Sequence, residues 1–220
     1  MEWNKRQCEN LDKADFLRAG RYGIPQMAPV KLEEPVSMIG FNFAKRAAHP
    51  ETLGVHFFLK DYQFTRLWDH PEMYTDMLGR FLFVCTPDFS MYTDYPPAVQ
   101  IYNHYRKHWL GVYWQQHGMT VIPTVSWSDE QSYEWCFDGD PIGGTVAVSS
   151  VGTQMNAETK RLFLQGFDEM IRRIRPETVL FHGDIPEEIR AKYCSEDAEI
   201  HIVPIEAYQS RLRNIKKGDP

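Results

Sequence analysis

The sequence predicts an α/β protein with a mostly parallel sheet built from about seven βα units. Short apolar runs alternate with longer segments that have the period of helices, which is typical of strand and helix repeats. Several runs are apolar at consecutive positions, as expected for strands that are covered on both faces. The seven runs span residues 38–44, 55–59, 81–86, 120–127, 145–151, 178–182 and 200–204.

The order of these units favours a compact (β/α) barrel-like arrangement over an open doubly wound sheet. Both architectures are assembled from units of this kind. An open doubly wound sheet reverses its strand order, and no long connection in the chain marks such a reversal. We therefore expect the barrel-like arrangement and keep the open sheet as the alternative.

The chain is predicted to divide into three parts. Residues 1–36 are expected to form an extended N-terminal arm, because glycines and prolines interrupt regular structure there. Residues 37–206 are expected to form a single α/β domain. Residues 207–220 contain four basic side chains and are expected to form a basic, solvated helical tail.

Capping residues predict where several helices begin and end. Pro96 and Pro97 suit the first turn of the longest helix, and Gly118 ends it. Asn156 is predicted to cap another helix. Three further residues at strand ends are predicted to be helix N-caps instead of catalytic groups, namely Asp61, Ser128 and Asp184.

Composition and charge exclude several classes of protein. A chain of 220 residues, 43% of them hydrophobic, can bury a core without disulfides or metal. No apolar run approaches the length of a membrane span and no signal peptide is evident, so we expect a cytoplasmic protein. The four cysteines form no CxxC pair, which disfavours a disulfide framework or a cysteine zinc site. A net charge of −6 disfavours nucleic acid as a partner, although a local basic stripe would permit it.

A ligand site is expected in the loops that follow the strands, because the carboxyl ends of parallel strands meet at one edge. Asp88, in the loop TPDFS, and His182, at the end of a strand, are the candidates for acid–base catalysis. An Asx turn would explain Asp88 equally well, and a hydrogen bond to a loop carbonyl would explain His182. The candidate ligand-binding residues are Asn42, Ser90, Arg106, Trp127, Ser149 and Ser150.

No metal site is predicted. His104 and His108 are four residues apart on the long helix, as a zinc pair would be. The segment HYRKH lacks the glutamate of HExxH, however, and no third ligand is evident. Asp138 and Asp140, in the sequence DGDP, are predicted to form a turn before the fifth strand instead of a cation loop.

Four segments of the chain are distinctive: GVHFFLKDYQFTRLWDHP (54–71), TPDFS (86–90), YNHYRKHWLGVYWQQHGMTVIPTVSW (102–127) and CFDGDPIGGTVAVSSVG (136–152). Their combination resembles a family of bacterial and phage proteins classified as domain of unknown function number forty-four seventeen. The resemblance covers about residues 20–185 and is weaker from His182 onward. It implies a cytoplasmic bacterial or phage setting and transfers no catalytic residue.

Two functions of different classes fit these observations. The first is a hydrolytic or group-transfer enzyme that binds a small polar, phosphorylated or sugar-like ligand at the strand ends, with Asp88 and His182 sharing the acid–base work. The alternative is a non-catalytic phage or mobile-element accessory protein that binds a host protein, a nucleotide or a nucleic acid. The sequence identifies neither a cofactor nor an oligomeric state.

Overall fold

A computed structural model describes residues 5–32, 37–195 and 198–205 of the chain. These residues form a mixed α/β fold in which all seven predicted strands are present and pair in parallel. A short antiparallel ribbon of β1 (Arg18–Ala19) and β2 (Ile24–Pro25) precedes them. The parallel strands are β3 (Met38–Gly40), β4 (Gly54–His56), β5 (Phe83–Cys85), β6 (Val121–Ile122), β7 (Thr145–Ser149), β8 (Thr178–His182) and β9 (His201–Pro204).

The parallel strands form two sheets whose strand order follows the chain. The first has the order β3-β4-β5-β6 and the second has the order β7-β8-β9. No hydrogen-bonded pairing links β3 to β9 within the part of the chain that the structure describes, so a hydrogen-bonded closed barrel is not found there. The predicted parallel α/β class is therefore confirmed at the level of two parallel sheets.

Thr124 joins the two sheets. It forms an isolated parallel bridge with Ala147, flanked by hydrogen bonds from Val125 N to Ala147 O (2.9 Å) and from Ala147 N to Pro123 O (2.8 Å). On its other side, Thr124 donates from its backbone to Thr86 Oγ1 (2.8 Å) and from its hydroxyl to Thr86 O (2.7 Å). One buried threonine thereby fixes the carboxyl ends of β5, β6 and β7 side by side.

In the described residues six α-helices connect or cover the strands. Both predicted ends of the longest and the predicted N-cap of the next longest are confirmed. The longest begins directly after Pro96 and ends before Gly118. The next begins at Asn156, whose side chain accepts a hydrogen bond from Thr159 N (2.9 Å) in a capping box. The helices are α1 (Phe41–Ala44), α2 (Arg66–Asp69), α3 (Glu72–Leu78), α4 (Pro97–Gln116), α5 (Ala157–Ile174) and α6 (Glu187–Tyr193).

The first strand is shorter than predicted. The run 38–44 is extended only over Met38–Gly40 and continues as helix α1. Phe41 and Ala44 are both buried, and their separation of three residues places them on one side of a helical turn. A short apolar run fits a strand and a buried helical turn equally well, which explains the error.

The predicted cap at Ser128 is wrong by one residue. Asp129 is the N-cap, and its carboxylate accepts from Gln131 N (3.1 Å) and Ser132 N (3.2 Å). The Ser128 hydroxyl instead donates to Gln100 Oε1 on α4 at 2.6 Å. Both residue types are good N-caps, so a sequence in which they are adjacent does not distinguish them.

The predicted caps at Asp61 and Asp184 are also wrong. The Asp61 carboxylate accepts hydrogen bonds from Ser90 N (3.1 Å) and Ser90 Oγ (2.8 Å), which lie in a different loop. Helix α6 begins after Pro186 without a side-chain cap, and Asp184 is exposed. The Asp184 backbone oxygen accepts from Ser150 Oγ at 2.7 Å.

The core of the described part of the chain consists of three clusters. One lies between the first sheet and α4 and is rich in aromatic side chains, including Phe57, Trp109 and Trp114. A second lies between the second sheet and α5. The third, which we call the central cluster, collects side chains from both sheets, namely Met38, Phe83, Cys85, Ile122, Ala147 and Leu180.

The N-terminal segment lies against this core. Ile24 and Met27 are buried, and Val30 and Leu32 pack on the central cluster. Val30 O also accepts a hydrogen bond from Thr145 N at 2.7 Å, at the start of β7. The domain boundary at residue 36 stays a prediction, and the predicted basic tail, 207–220, lies outside the described residues. In the described part of the chain, no helix is both long enough and apolar enough to span a membrane.

The contact between α5 and the loop after β6 requires a glycine. A Cβ atom placed on Gly166 would lie 2.1 Å from the indole nitrogen of Trp127, well inside van der Waals contact. Trp127 stacks on Phe163 of the same helix, with ring centroids 5.5 Å apart. The backbone of α5 can therefore lie this close to the indole of Trp127 only at a residue without a Cβ atom.

We expect Gly166→Val to lower the free energy of unfolding by about 2 kcal/mol, because the added atoms overpack the contact with Trp127. Urea denaturation followed by circular dichroism measures this change. Gln165→Val is the matched control, since it places the same β-branched residue on the exposed side of the helix. Equal losses in the two variants would show that Gly166 is not needed for the contact.

Candidate functional site

A cavity of about 740 Å³ lies at the carboxyl ends of β4 to β8. Its volume is in the range of small-molecule sites. The loops that follow these parallel strands supply its walls, as the predicted placement of a site requires. The polar side chains that line it include Asp61, Asp88, Ser90, Ser126, Ser149 and His182.

Five of the eight predicted site residues line this cavity, namely Asp88, Ser90, Trp127, Ser149 and His182. The other three do not. Asn42 is exposed at the start of α1. Arg106 lies over the ring of Phe89 (4.0 Å) and donates to Asn103 Oδ1 (2.5 Å) on its own helix. Ser150 is buried, and its hydroxyl is directed to a backbone carbonyl.

Asp88 follows β5 in the loop TPDFS. Burial raises the pKa of Asp88 to about 6, and the negative charge of Asp61 contributes in the same direction. Lys107 and the Ser126 hydroxyl oppose this rise in the pKa. A carboxyl group with this pKa is populated in both protonation states close to neutral pH, which suits general acid–base catalysis.

Lys107 was missed by the sequence analysis. It lies on α4 with 1% of its surface exposed, and its Nζ donates to Ser126 Oγ at 3.0 Å. Burial lowers the pKa of Lys107, whereas the carboxyls of Asp140 and Asp88 favour its charged form. The detectable signal was a polar stripe at helical spacing on α4, formed by Gln100, Asn103, His104, Lys107 and His108, all of which are buried.

His182 ends β8 and lies among aromatic rings. Its ring stacks on Phe58 (4.6 Å between centroids) and lies 5.3 Å from the ring of His56. Its Nδ1 is 3.0 Å from the hydroxyl of Ser149, the residue directly opposite on β7. Burial lowers the pKa of His182, so the imidazole is neutral at pH 7. The Ser149 hydroxyl is therefore placed to orient the imidazole through Nδ1.

Trp127 contributes to the cavity wall and also to packing. Its indole nitrogen donates to Leu162 O at 3.2 Å, and one side of the ring contacts α5. These contacts hold the ring in place. Its predicted role as a stacking platform for a ligand stays a prediction.

His104 and His108 belong to a buried polar cluster behind the cavity. Their ring centroids are 4.2 Å apart, and His108 Nε2 lies 3.0 Å from Asp140 Oδ1. Asp140 is thus a buried partner of a histidine as well as a residue of the predicted turn. Over residues 5–32, 37–195 and 198–205, no group of three or more His, Cys, Asp or Glu side chains is placed to hold a metal ion.

Comparison with known proteins identifies the family. Residues 16–203 match the model of a family described as a domain of unknown function (DUF4417). The chain is 37% identical over 172 residues to the Gene 1 protein of Mycobacterium phage L5, covering 77% of this chain and 75% of that protein. It is 34% identical over 183 residues to the Gene 1 protein of Mycobacterium phage D29, covering 82% of this chain and 65% of that protein. No solved structure matches the chain.

The predicted resemblance is confirmed and extends further than expected. It was placed at about residues 20–185, whereas the match spans residues 16–203 and includes β8 and all but the last residue of β9. The strand that carries His182 is therefore part of the family domain.

The raised pKa of Asp88 predicts a stability change with pH. Because the pKa is about 6 in the folded chain and 3.8 ordinarily, the folded state binds more protons between these values. The stabilisation that this proton gives is complete below about pH 4 and is lost as the pH rises through 6. We expect Asp88→Asn to be more stable than the wild type at pH 8, by on the order of 2 kcal/mol, and to differ little at pH 4.

Urea denaturation of both proteins from pH 4 to pH 8 measures this difference. Asp94→Asn, which removes an exposed carboxylate a few residues away, is the control and should change stability little at any pH. A difference between Asp88→Asn and the wild type that does not vary with pH would contradict the raised pKa.

Proposed function

The chain belongs to the family described as a domain of unknown function (DUF4417), and we propose that it is an enzyme that catalyses hydrolysis or group transfer on a small polar ligand. One observation carries the proposal. A carboxyl group, Asp88, and a neutral imidazole, His182, line the same cavity at the strand ends. The pKa of Asp88 is raised and the pKa of His182 is lowered, so the two groups can act as an acid and a base at the same pH.

In the proposed reaction Asp88 is the proton donor. Its protonated carboxyl gives the proton to the leaving-group oxygen as the bond between the ligand and that oxygen breaks. His182 takes a proton from the attacking water, or from another hydroxyl acceptor, whose oxygen forms the new bond. The tautomer that donates from Nδ1 to Ser149 leaves Nε2 as the basic nitrogen. Both groups then exchange protons with solvent and return to their starting states.

The charges of the cavity wall favour a sugar-like ligand over a phosphorylated one. The lysine, aspartate and histidine side chains among the described lining residues are Lys60, Asp61, Asp88 and the neutral His182. One cation against two carboxyl groups makes a poor site for a phosphate dianion. Aromatic rings and hydroxyl groups also line the cavity, and both suit an uncharged polyhydroxylated ligand.

The proposal includes the barrel-like arrangement of the seven strands. Its support is the central cluster, which draws its buried side chains from β3, β5, β6, β7 and β8. Phe58, just after β4, and Val203 on β9 pack against the same cluster. Side chains from strands at both ends of the series thus share one interior, as in a barrel.

A non-catalytic accessory role is the second candidate, and the cavity mouth favours it. Three apolar or aromatic side chains there are strongly exposed: Tyr62 (77%), Tyr92 (60%) and Val151 (65%). Exposed side chains of this kind at a rim suit binding to a partner. In this role the chain is a phage or mobile-element accessory protein that binds a host protein, a nucleotide or a nucleic acid without converting it, and the phage origin of its relatives fits this setting.

The deciding experiment is a thermal-shift screen with pairs of uncharged glycosides and their phosphorylated counterparts. We expect an uncharged member to raise the melting temperature, because ligand binding to the folded state stabilises it. For that ligand, Asp88→Asn should lower the rate of product formation, measured by mass spectrometry, by about 100-fold or more. His182→Ala should have a similar effect.

Asp184→Asn is the matched control, since it removes an exposed carboxylate next to β8 that does not line the cavity. Turnover that survives in Asp88→Asn would contradict the catalytic assignment. A ligand that binds without being converted would favour the accessory role. A preference for the phosphorylated members would contradict the assigned ligand class.

A further inference from the structure

We propose that Lys107 is a positioning residue that acts through the Ser126 hydroxyl to hold Asp88 in place and to stabilise its carboxylate form. Lys107 does not line the cavity, whereas Ser126 and Asp88 do. This inference rests on the proposed function in one respect, which is that Asp88 is a catalytic residue. The electrostatic link itself is a property of the folded chain.

The hydrogen-bonding chemistry gives this link a direction. The Lys107 ammonium can only donate, so Ser126 Oγ accepts at their separation of 3.0 Å. The proton of the Ser126 hydroxyl is then free to point to an acceptor. Ser126 and Asp88 line the same cavity, and the Ser126 hydroxyl favours the ionised form of the Asp88 carboxyl. If Lys107 donates to Ser126 and Ser126 donates to Asp88, the last acceptor in the series is an ionised carboxylate.

Lys107 lacks a direct counterion in the described part of the chain. It is almost completely buried, and no carboxylate lies within 4.0 Å of its Nζ there. Of the two carboxyl groups that act on it at longer range, Asp140 already accepts or shares a hydrogen bond with His108 at 3.0 Å. Asp140 acts on Lys107 more strongly than Asp88 does, but of the two it is Asp88 that lines the cavity. Asp88 is therefore the carboxyl through which the charge of Lys107 can affect the site.

Several other groups surround this pair. Asp61, from the turn after β4, faces Asp88 and opposes its ionisation. Cys136 and Asp140, from the segment before β7, face Lys107. His182, on β8, lines the same cavity. Lys107 is the only cation among the groups that act on Asp88 in the described residues, so its removal has no local substitute.

A buried lysine without a counterion is not retained for stability. Desolvation of a charge is costly, and replacement of buried charges by apolar side chains of similar size is often neutral or stabilising. Methionine has nearly the length of the lysine stem. Lys107→Met is therefore expected to fold, and any change in Asp88 then reflects the lost charge.

The test is a carbon-13 NMR titration of the aspartate carboxyl groups, in which Asp88→Asn identifies the Asp88 signal. We expect the titration midpoint of Asp88 to rise by about one pH unit or more in Lys107→Met, because a nearby cation favours the carboxylate. Ser126→Ala should raise the midpoint as well, and Ser126→Thr, which keeps the hydroxyl, should restore it. Lys160→Met is the control, since Lys160 pairs with Glu188 on the surface (2.7 Å).

An unchanged Asp88 midpoint in folded Lys107→Met would overturn the inference. If that variant does not fold, equal midpoints in Ser126→Ala and Ser126→Thr would overturn it instead. The measurement uses no ligand, so it stands even if the thermal-shift screen finds no substrate. Failure of the proposed enzyme activity and failure of this link are thus separate results.

Discussion

The arrangement of the cavity depends on the two threonines that align the strand ends. Thr124 bonds to Thr86 on one side and bridges to Ala147 on the other. Asp88 lies two residues after Thr86, Ser126 lies two residues after Thr124, and Ser149 lies two residues after Ala147. Because side chains alternate along an extended chain, equal steps from aligned positions bring these polar groups to one rim. Continuous parallel pairing between β7 and β8 then adds His182 opposite Ser149.

The sequence predicts this rim better than it predicts the groups that control it. The strands were recognisable because a run such as 178–182 is apolar at consecutive interior positions, and its predicted bounds match the structure. Parallel strands then place Asp88 and His182 at one edge without further information. Lys107 was missed because α4 is buried on two sides. The aromatic residues on one side already explained the helical spacing of its buried positions, so the polar side was not recognised. Which loops meet, as Asp61 and Ser90 do, depends on tertiary contacts that no local pattern encodes.

The polar groups around the cavity lower the stability of the folded state, because burial disfavours their charged or unpaired forms. Burial works against the charged form of Asp88, and Lys107 is buried without a direct counterion in the described chain. His56, beside His182, has a buried Nδ1 with no hydrogen-bond partner in the same region, and burial lowers the pKa of His56 to about 3. Buried titratable groups with perturbed pKa values that gather around one cavity are typical of a functional site.

Environment separates the carboxylates that the sequence presents as equivalent. Asp129 caps a helical turn, Asp61 is held by two hydrogen bonds from Ser90, and Asp140 is paired with His108. Each of these side chains has a direct partner that explains its presence. For Asp88, the groups among the described residues that favour its ionised form are the Ser126 hydroxyl and the charge of Lys107, and Asp88 faces the cavity. A half-buried carboxyl group that is incompletely paired can exchange its proton with a ligand, whereas a carboxylate fixed by two donors cannot do so without losing them.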